Sequence, residues 1–392
     1  VSGEPADRPE AGRQLALATV AFTVCFFAWS LLGPLSPKLQ DDLGLSDFET
    51  SAMVAVPVLL GSLMRIPLGW LSDRLGGRVV FAALMAFTPL PLLGLALWHD
   101  ALAPLLVFGF LVGFAGASFA VGVPFVNGWY PPERQGFALG VYGMGMGGTT
   151  IAGLLAPRLG SVTAPFWVAI GLLVVTAAAF LALARDAPRP PRDGPPPSMF
   201  ASLSVFRGSG RAWALTLFYF LAFGGFVAMF LYLPKLLTGV HGLTKSDAGA
   251  RAAGFALLAV LARPTGGWLA DRVGAERVLQ ACFVGVGALA LVLAVAYEHM
   301  VPLTIACLTM AVALGLGTGA VFKLVPSWFP DRVGAVTGVV GAAGGLGGFF
   351  PPLVMGVVKS ATGGYALGFV LMALVAGACL VVLGALTRPR HR

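Results

Sequence analysis

Apolar runs long enough to cross a bilayer recur along the chain, broken by short clusters of Gly, Pro and charge. The pattern predicts spans near 14–37, 48–71, 77–98, 101–128, 134–157 and 160–184, then near 211–237, 245–270, 276–297, 300–327, 332–357 and 363–387. Between the two sets lies APRPPRDGPPP, residues 187–197. Such a stretch has no apolar face to bury and too much proline for a helix, so it reads as a linker. The predicted architecture is all-α, a polytopic membrane protein with twelve transmembrane helices in two six-helix pseudo-repeats. Its segments are a tail over 1–13, a bundle over 14–185, a linker over 186–209, a second bundle over 210–387 and a tail over 388–392.

Composition sharpens this picture. Hydrophobic residues make up 58% of the 392 and charged residues 11%, where a soluble domain carries about 25% charge. Mean hydropathy is +0.88. The net charge of +8 would suggest nucleic acid in a soluble chain. Here the arginines cluster at segment ends, so the excess reads as membrane topology and no nucleic-acid partner is expected. Arg8, Arg13, Arg74, Arg78, Arg134 and Arg185 fall on one side, with Arg272, Arg277, Arg332, Arg388, Arg390 and Arg392. The other side holds fewer cations, and its first loop carries Asp41, Asp42, Asp47 and Glu49. The positive-inside rule then puts both termini in the cytoplasm. No cleavable signal segment is evident near the first residues. Cys25, Cys282, Cys307 and Cys379 lie in apolar runs without metal spacing, so neither metal nor cofactor is expected.

Two arginines interrupt the apolar pattern at matching places. The first half reads RIPLGWLSDRLG from Arg65 to Gly76, and the second reads RPTGGWLADRVG from Arg263 to Gly274. Arg65/Arg263, Gly69/Gly267, Trp70/Trp268, Asp73/Asp271 and Gly76/Gly274 are all 198 positions apart. The repeat resumes at Gly136, Gly140, Gly143 and Gly147, which pair with Gly334, Gly338, Gly341 and Gly345. Two six-helix halves of like sequence and like orientation mark a parallel-repeat transporter.

Each arginine precedes its aspartate by eight residues, or roughly 12 Å of helix, and half the hydrocarbon core is about 15 Å. Both guanidinium groups therefore start near the midplane, where a cation costs at least ~2.5–3.5 kcal/mol. No Asp or Glu stands near the centre of a span to neutralise them. An arginine capped by carbonyls for structure alone is one reading, and an anion site is the other. The planar, permanently charged fork suits a small oxyanion or one oxygen pair of a larger acid.

The run Gly69, Asp73, Arg74, with Gly267, Asp271 and Arg272 in the second copy, reads as a gate at the cytoplasmic ends of the spans. Aspartate at a helix end can lock neighbouring helices, and glycine lets them approach. The bland alternative is an ordinary positive-inside turn. Glycines spaced by four over 136–148 and 334–348 permit tight helix contact. The GxGxxG match within them has no strand before it and is discarded. Tyr219 and Phe223 are four apart and share a helix face. Taken alone, each is ordinary packing.

At this point the chain resembles bacterial nitrate/nitrite porters of the major facilitator superfamily, over essentially its whole length. The GxxxDRxG pattern indicates only the superfamily. The narrower resemblance rests on Arg65 in RIPLG, on Arg263, and on the glycine-rich fifth and eleventh spans. The run GAVTGVVGAAGGLGGFFP from Gly334 is the most specific stretch. The resemblance implies that Arg65 and Arg263 clamp the anion and that Tyr219, Phe223 and Phe119 wall it; the glycine spacing itself adds Gly143, Gly147, Gly341 and Gly345 as places where backbone can approach a small ligand. One position departs: the family carries Asn where this chain has Gly147.

The implied function is a secondary transporter in the inner membrane, moving nitrate, nitrite or both by alternating access and serving nitrate assimilation. It is expected to work as a monomer. No span has a central Asp, Glu or His, and the pore carries two permanent positive charges, so nitrate/nitrite exchange is expected. Proton-coupled nitrate symport is the alternative, with a proton carried by Tyr219, by water or by nitrous acid. A transporter for another small organic anion is a further reading. A membrane-embedded enzyme would need clustered His, Cys or acids in the spans, and the sequence offers none.

Overall fold

Twelve long helical segments carry the chain in the computed structural model, which describes residues 10–188, 198–362 and 364–387. They are α1 Ala11–Leu43, α2 Phe48–Leu75, α3 Gly77–Leu97, α4 Leu102–Asn127, α5 Pro132–Arg158 and α6 Ala164–Leu183, then α7 Gly210–His241, α8 Asp247–Val273, α9 Ala275–Ala296, α10 Met300–Trp328, α11 Val333–Thr362 and α12 Ala366–Thr387. All but α11 are, among the described residues, long and apolar enough to cross a membrane. No strand occurs among the described residues. The stretch read as a linker falls largely on residues 189–197, outside the described residues, as do residues 1–9 and 388–392.

Helix ends differ from the expected ones where polar residues continue a helix. The first span was expected to stop near 37, yet α1 runs to Leu43. Leu32, Leu35 and Leu39 stay buried there, so one apolar stripe carries the helix on past Lys38. What stops it is Gly44 at φ 62°, the left-handed conformation that glycine adopts without a Cβ clash.

The repeat is visible in the backbone. Ser46 caps α2, with Ser46 Oγ accepting from the Glu49 amide and the Glu49 carboxylate accepting from the Ser46 amide. Thr244, 198 positions on, caps α8 by accepting from the Asp247 amide. Such caps satisfy amides that a helix start leaves without partners. Gly242 repeats Gly44 at φ 63°, and Gly76 and Gly274 end α2 and α8 at φ 94° and 95°. The two arginine helices are thus built between matched start and stop signals.

Among the described residues, short stretches within α4, α5 and α7 depart from α-helical winding. A 3-10 stretch, Gly113–Ala117, interrupts α4, and another, Met144–Met146, interrupts α5. A π turn, Phe220–Gly224, interrupts α7.

The chain forms two compact units. One comprises residues 1–132, 141–204 and 329–342, and the other 133–140, 205–328 and 343–392. The first turns of α11 therefore group with the first half, and the first turns of α5 with the second. Unit 1 buries Phe22, Phe26, Phe81, Phe166 and Phe180, and unit 2 buries Phe218, Phe255 and Phe283. Large apolar side chains also face outward, among them Val175, Val295 and Val381. Apolar exposure on this scale is stable only against lipid.

Candidate functional site

In unit 1, Arg65 lies in the middle of α2 and is 3% exposed. Its Nε donates to the Gly116 carbonyl at 3.2 Å, within the 3-10 stretch of α4, and its Nη1 donates to the Gly341 carbonyl on α11. Carbonyl partners orient the fork without cancelling its charge, as a carboxylate would. Glycine is needed where α11 meets this helix. A Cβ on Gly338 would lie 2.5 Å from the Arg65 carbonyl, and one on Gly341 would lie 3.2 Å from Arg65 Cδ.

Phe119 follows Gly116 by three residues and is buried. Its ring centroid is 5.5 Å from Phe22 and 5.8 Å from Tyr142, and Tyr142 stacks on Phe22 at 4.9 Å. The Tyr142 hydroxyl donates to the Ser118 carbonyl at 2.8 Å. Gly122 leaves that hydroxyl its room, because a Cβ there would overlap it. Gly143 is buried beside Tyr142. Gly147, the position of the expected departure, borders open space, with nothing within 4 Å of a Cβ built on it.

In unit 2, Arg263 is 4% exposed, and its guanidinium carbon stands 5.7 Å from the Phe223 ring centroid. That distance is within cation–π range. Phe223 and Tyr219 stack at 5.1 Å with 6° between planes, and Phe322 of α10 meets Tyr219 edge-on at 4.7 Å. The π turn of α7 runs from Phe220 to Gly224 and holds Phe223 itself. Gly344 of α11 lies against these rings, and a Cβ there would run into Tyr219. Gly345, beside it, is buried.

The aspartates cap helix starts. Asp73 accepts from the amides of Gly334 and Ala335 at 3.0 and 2.9 Å, in unit 1. Asp271 accepts from the amides of Gly136 and Phe137 at 2.9 and 2.8 Å, in unit 2. Each carboxylate thus sits at the positive end of a helix. Asp271 also pairs with Lys323 of α10 at 2.7 Å. A Cβ on Gly69 or Gly267 would run into the carbonyl of Gly334 or Gly136. Arg74 and Arg272 lie over Trp70 and Trp268 at 5.4 and 4.3 Å.

The structure joins Arg65 with Gly341, and Arg263 with Phe223 and Tyr219. It places Phe119 in a cluster with Phe22 and Tyr142. Three features were not read from sequence: the edge-on ring of Phe322, the stack around Tyr142, and the partner of Lys323. Lys323 carried a signal of its own, as a cation inside an apolar run. The two rings carried none, because Phe and Tyr are common throughout the spans.

The family model described as Major Facilitator Superfamily matches residues 18–256 and 237–392. The probable nitrate/nitrite transporter NarK2 of Mycobacterium tuberculosis is 44% identical, over 92% of this chain and 93% of that protein. The nitrite extrusion protein of Bacillus subtilis is 37% identical, over 94% and 93%. The probable nitrate transporter NarT of Staphylococcus haemolyticus is 36% identical, over 98% and 99%. In fold, the chain is similar to the human organic anion transporter MFSD10, with a TM-score of 0.80 at 17% identity over 96% of this chain and 100% of that one. It is similar also to the Escherichia coli fucose:proton symporter FucP, with a TM-score of 0.76 at 20% identity over 96% and 100%.

Proposed function

The chain belongs to the major facilitator superfamily, a family of membrane transporters rather than enzymes, and we propose that it carries nitrate and nitrite across the inner membrane by exchanging one for the other. The observation that carries this reading is the pair of buried arginines in matched helices. Arg65 is aimed by two carbonyls, and Arg263 lies beside the Tyr219–Phe223 stack. A flat anion takes two parallel hydrogen bonds from a guanidinium fork and lies well against flat rings. The relatives' names supply the substrate: one is named for nitrate and nitrite, one for nitrite extrusion, one for nitrate.

In this reading Arg65 and Arg263 take the anion, Tyr219, Phe223, Phe119 and Phe322 wall it, and Gly143, Gly147, Gly341 and Gly345 let backbone come close. The gate residues Gly69, Asp73, Arg74, Gly267, Asp271 and Arg272 stand at the cytoplasmic side, with both termini. Each aspartate holds the start of a helix from the other half and releases it when access alternates. Two permanent cations favour a site that always holds an anion, because an empty site leaves both charges in a low-dielectric interior. Nitrite therefore leaves as nitrate enters, and one chain suffices.

The test is counterflow in proteoliposomes, with nitrate, nitrite, chloride and formate as competitors. The reading expects nitrate and nitrite to compete and trade, and chloride and formate to do neither. Equal competition by formate would move the substrate to the organic acids.

A further inference from the structure

Asp271 has two kinds of partner. The amides of Gly136 and Phe137 at the α5 start donate to it at 2.9 and 2.8 Å, and the Lys323 ammonium of α10 pairs with it at 2.7 Å. All four residues lie within unit 2. The paired side chains are enclosed, Asp271 at 5% exposure and Lys323 at 14%. An enclosed ion pair adds little net stability, because desolvation offsets the attraction. Stability alone gives no reason to keep a lysine there.

Lys323 stays with Asp271 because α10 and α8 are locked together. A Cβ on Gly315 would run into the Ala259 carbonyl, one on Gly266 into the Leu316 carbonyl, and one on Gly319 into the Arg263 carbonyl. Backbones packed this closely through small residues move as one body. The α5 amides are held differently. Beyond Gly140 their helix continues into the other compact unit, so in the proposed cycle they withdraw when the gate opens. Lys323 then remains as the partner of the carboxylate.

The place of the pair matters for an anion. Lys323 follows Phe322, which meets Tyr219 edge-on at 4.7 Å. It also lies one helical turn beyond Gly319, which abuts Arg263. The pair thus stands between the Arg263 wall and the end of α8. A carboxylate stripped of its amides there would repel a passing anion, and more strongly away from bulk water. Without the ammonium, the gate would also resist opening, because opening would leave an enclosed charge unpaired.

We infer that Lys323 is a positioning residue that acts through Asp271: it neutralises the carboxylate as the gate opens, so that the amides release and the cytoplasmic mouth admits an anion. This role rests on the anion-exchange reading.

The test measures nitrate KM on each face of the full chain, in inside-out and right-side-out membrane vesicles loaded with nitrite. Lys323→Gln and Lys323→Met remove the charge, and Lys323→Arg keeps it. Gln still donates to Asp271, so that variant keeps the fold even if Lys323→Met does not. In the neutral variants KM on the cytoplasmic face should rise about tenfold, while KM on the outer face stays within about twofold. Lys323→Arg should keep both values near wild type. A merely structural lysine would lower yield or Vmax and leave the ratio of the two KM values unchanged. Exchange by the wild type, with that unchanged ratio in Lys323→Gln, would overturn the role of Lys323 alone. No exchange by the wild type on either face would remove the transport reading and this role with it.

Discussion

At the scale of single residues, the account rests on what a guanidinium does that an ammonium cannot. Arg65→Lys and Arg263→Lys keep the charge and lose the planar fork. Each is expected to abolish most nitrate transport, while yield and thermal stability in detergent stay near wild type. A wild-type rate in a normally inserted variant would remove that arginine from the site. The rings make a graded case. Phe223 stacks on Tyr219 at 5.1 Å and lies under Arg263, whereas Phe226 lies 6.2 Å from Phe223 and stacks on Phe255. Phe223→Ala should therefore raise KM for nitrate several-fold more than Phe226→Ala. Equal shifts in a side-by-side uptake titration would attribute both to general packing. The arginines were legible because a cation in an apolar run is costly and because the sequence repeats it. Phe322 and Tyr142 were not, since an aromatic in a span is unremarkable until its neighbours are known.

At the scale of helices, the matched caps, left-handed glycines and aspartates make α2 and α8 copies of one device. Asp73 holds two amides of the α11 start and Asp271 two of the α5 start. Hydrogen bonds to a charged group contribute about 1.5–3 kcal/mol each. Asp73→Ala should lower Vmax several-fold and leave KM for nitrate within about twofold, because it unbalances the gate. A change confined to KM would place Asp73 with substrate instead. Here the sequence told half the story. The spacing of Gly69 and Asp73 marked a helix end under constraint, but the partner amides lie more than 250 positions away. The Lys323–Asp271 pair spans 52 positions and was hidden for the same reason. The π turn of α7 was beyond reach too, because the spacing of Tyr219 and Phe223 fits regular winding equally well. Span ends were missed where amphipathic turns extend an apolar run, as at 38–43 of α1.

At the scale of the molecule, the repeat and the hydropathy predicted a twelve-helix transporter from sequence. The structure adds the two compact units, which exchange the first turns of α5 and α11. Those turns begin at Gly-rich positions that tolerate close backbone approach. Coupling is the property of the whole cycle, and exchange is the central claim. It follows from two fixed positive charges and from spans with no central carboxylate or histidine. The most direct measurement is nitrate uptake into proteoliposomes loaded with nitrite, with nitrate, or with neither, with and without an imposed pH gradient. The account predicts fast uptake into vesicles loaded with either anion, insensitive to the gradient, and little uptake into empty ones. Strong uptake into empty vesicles driven by the pH gradient would contradict exchange and establish proton symport.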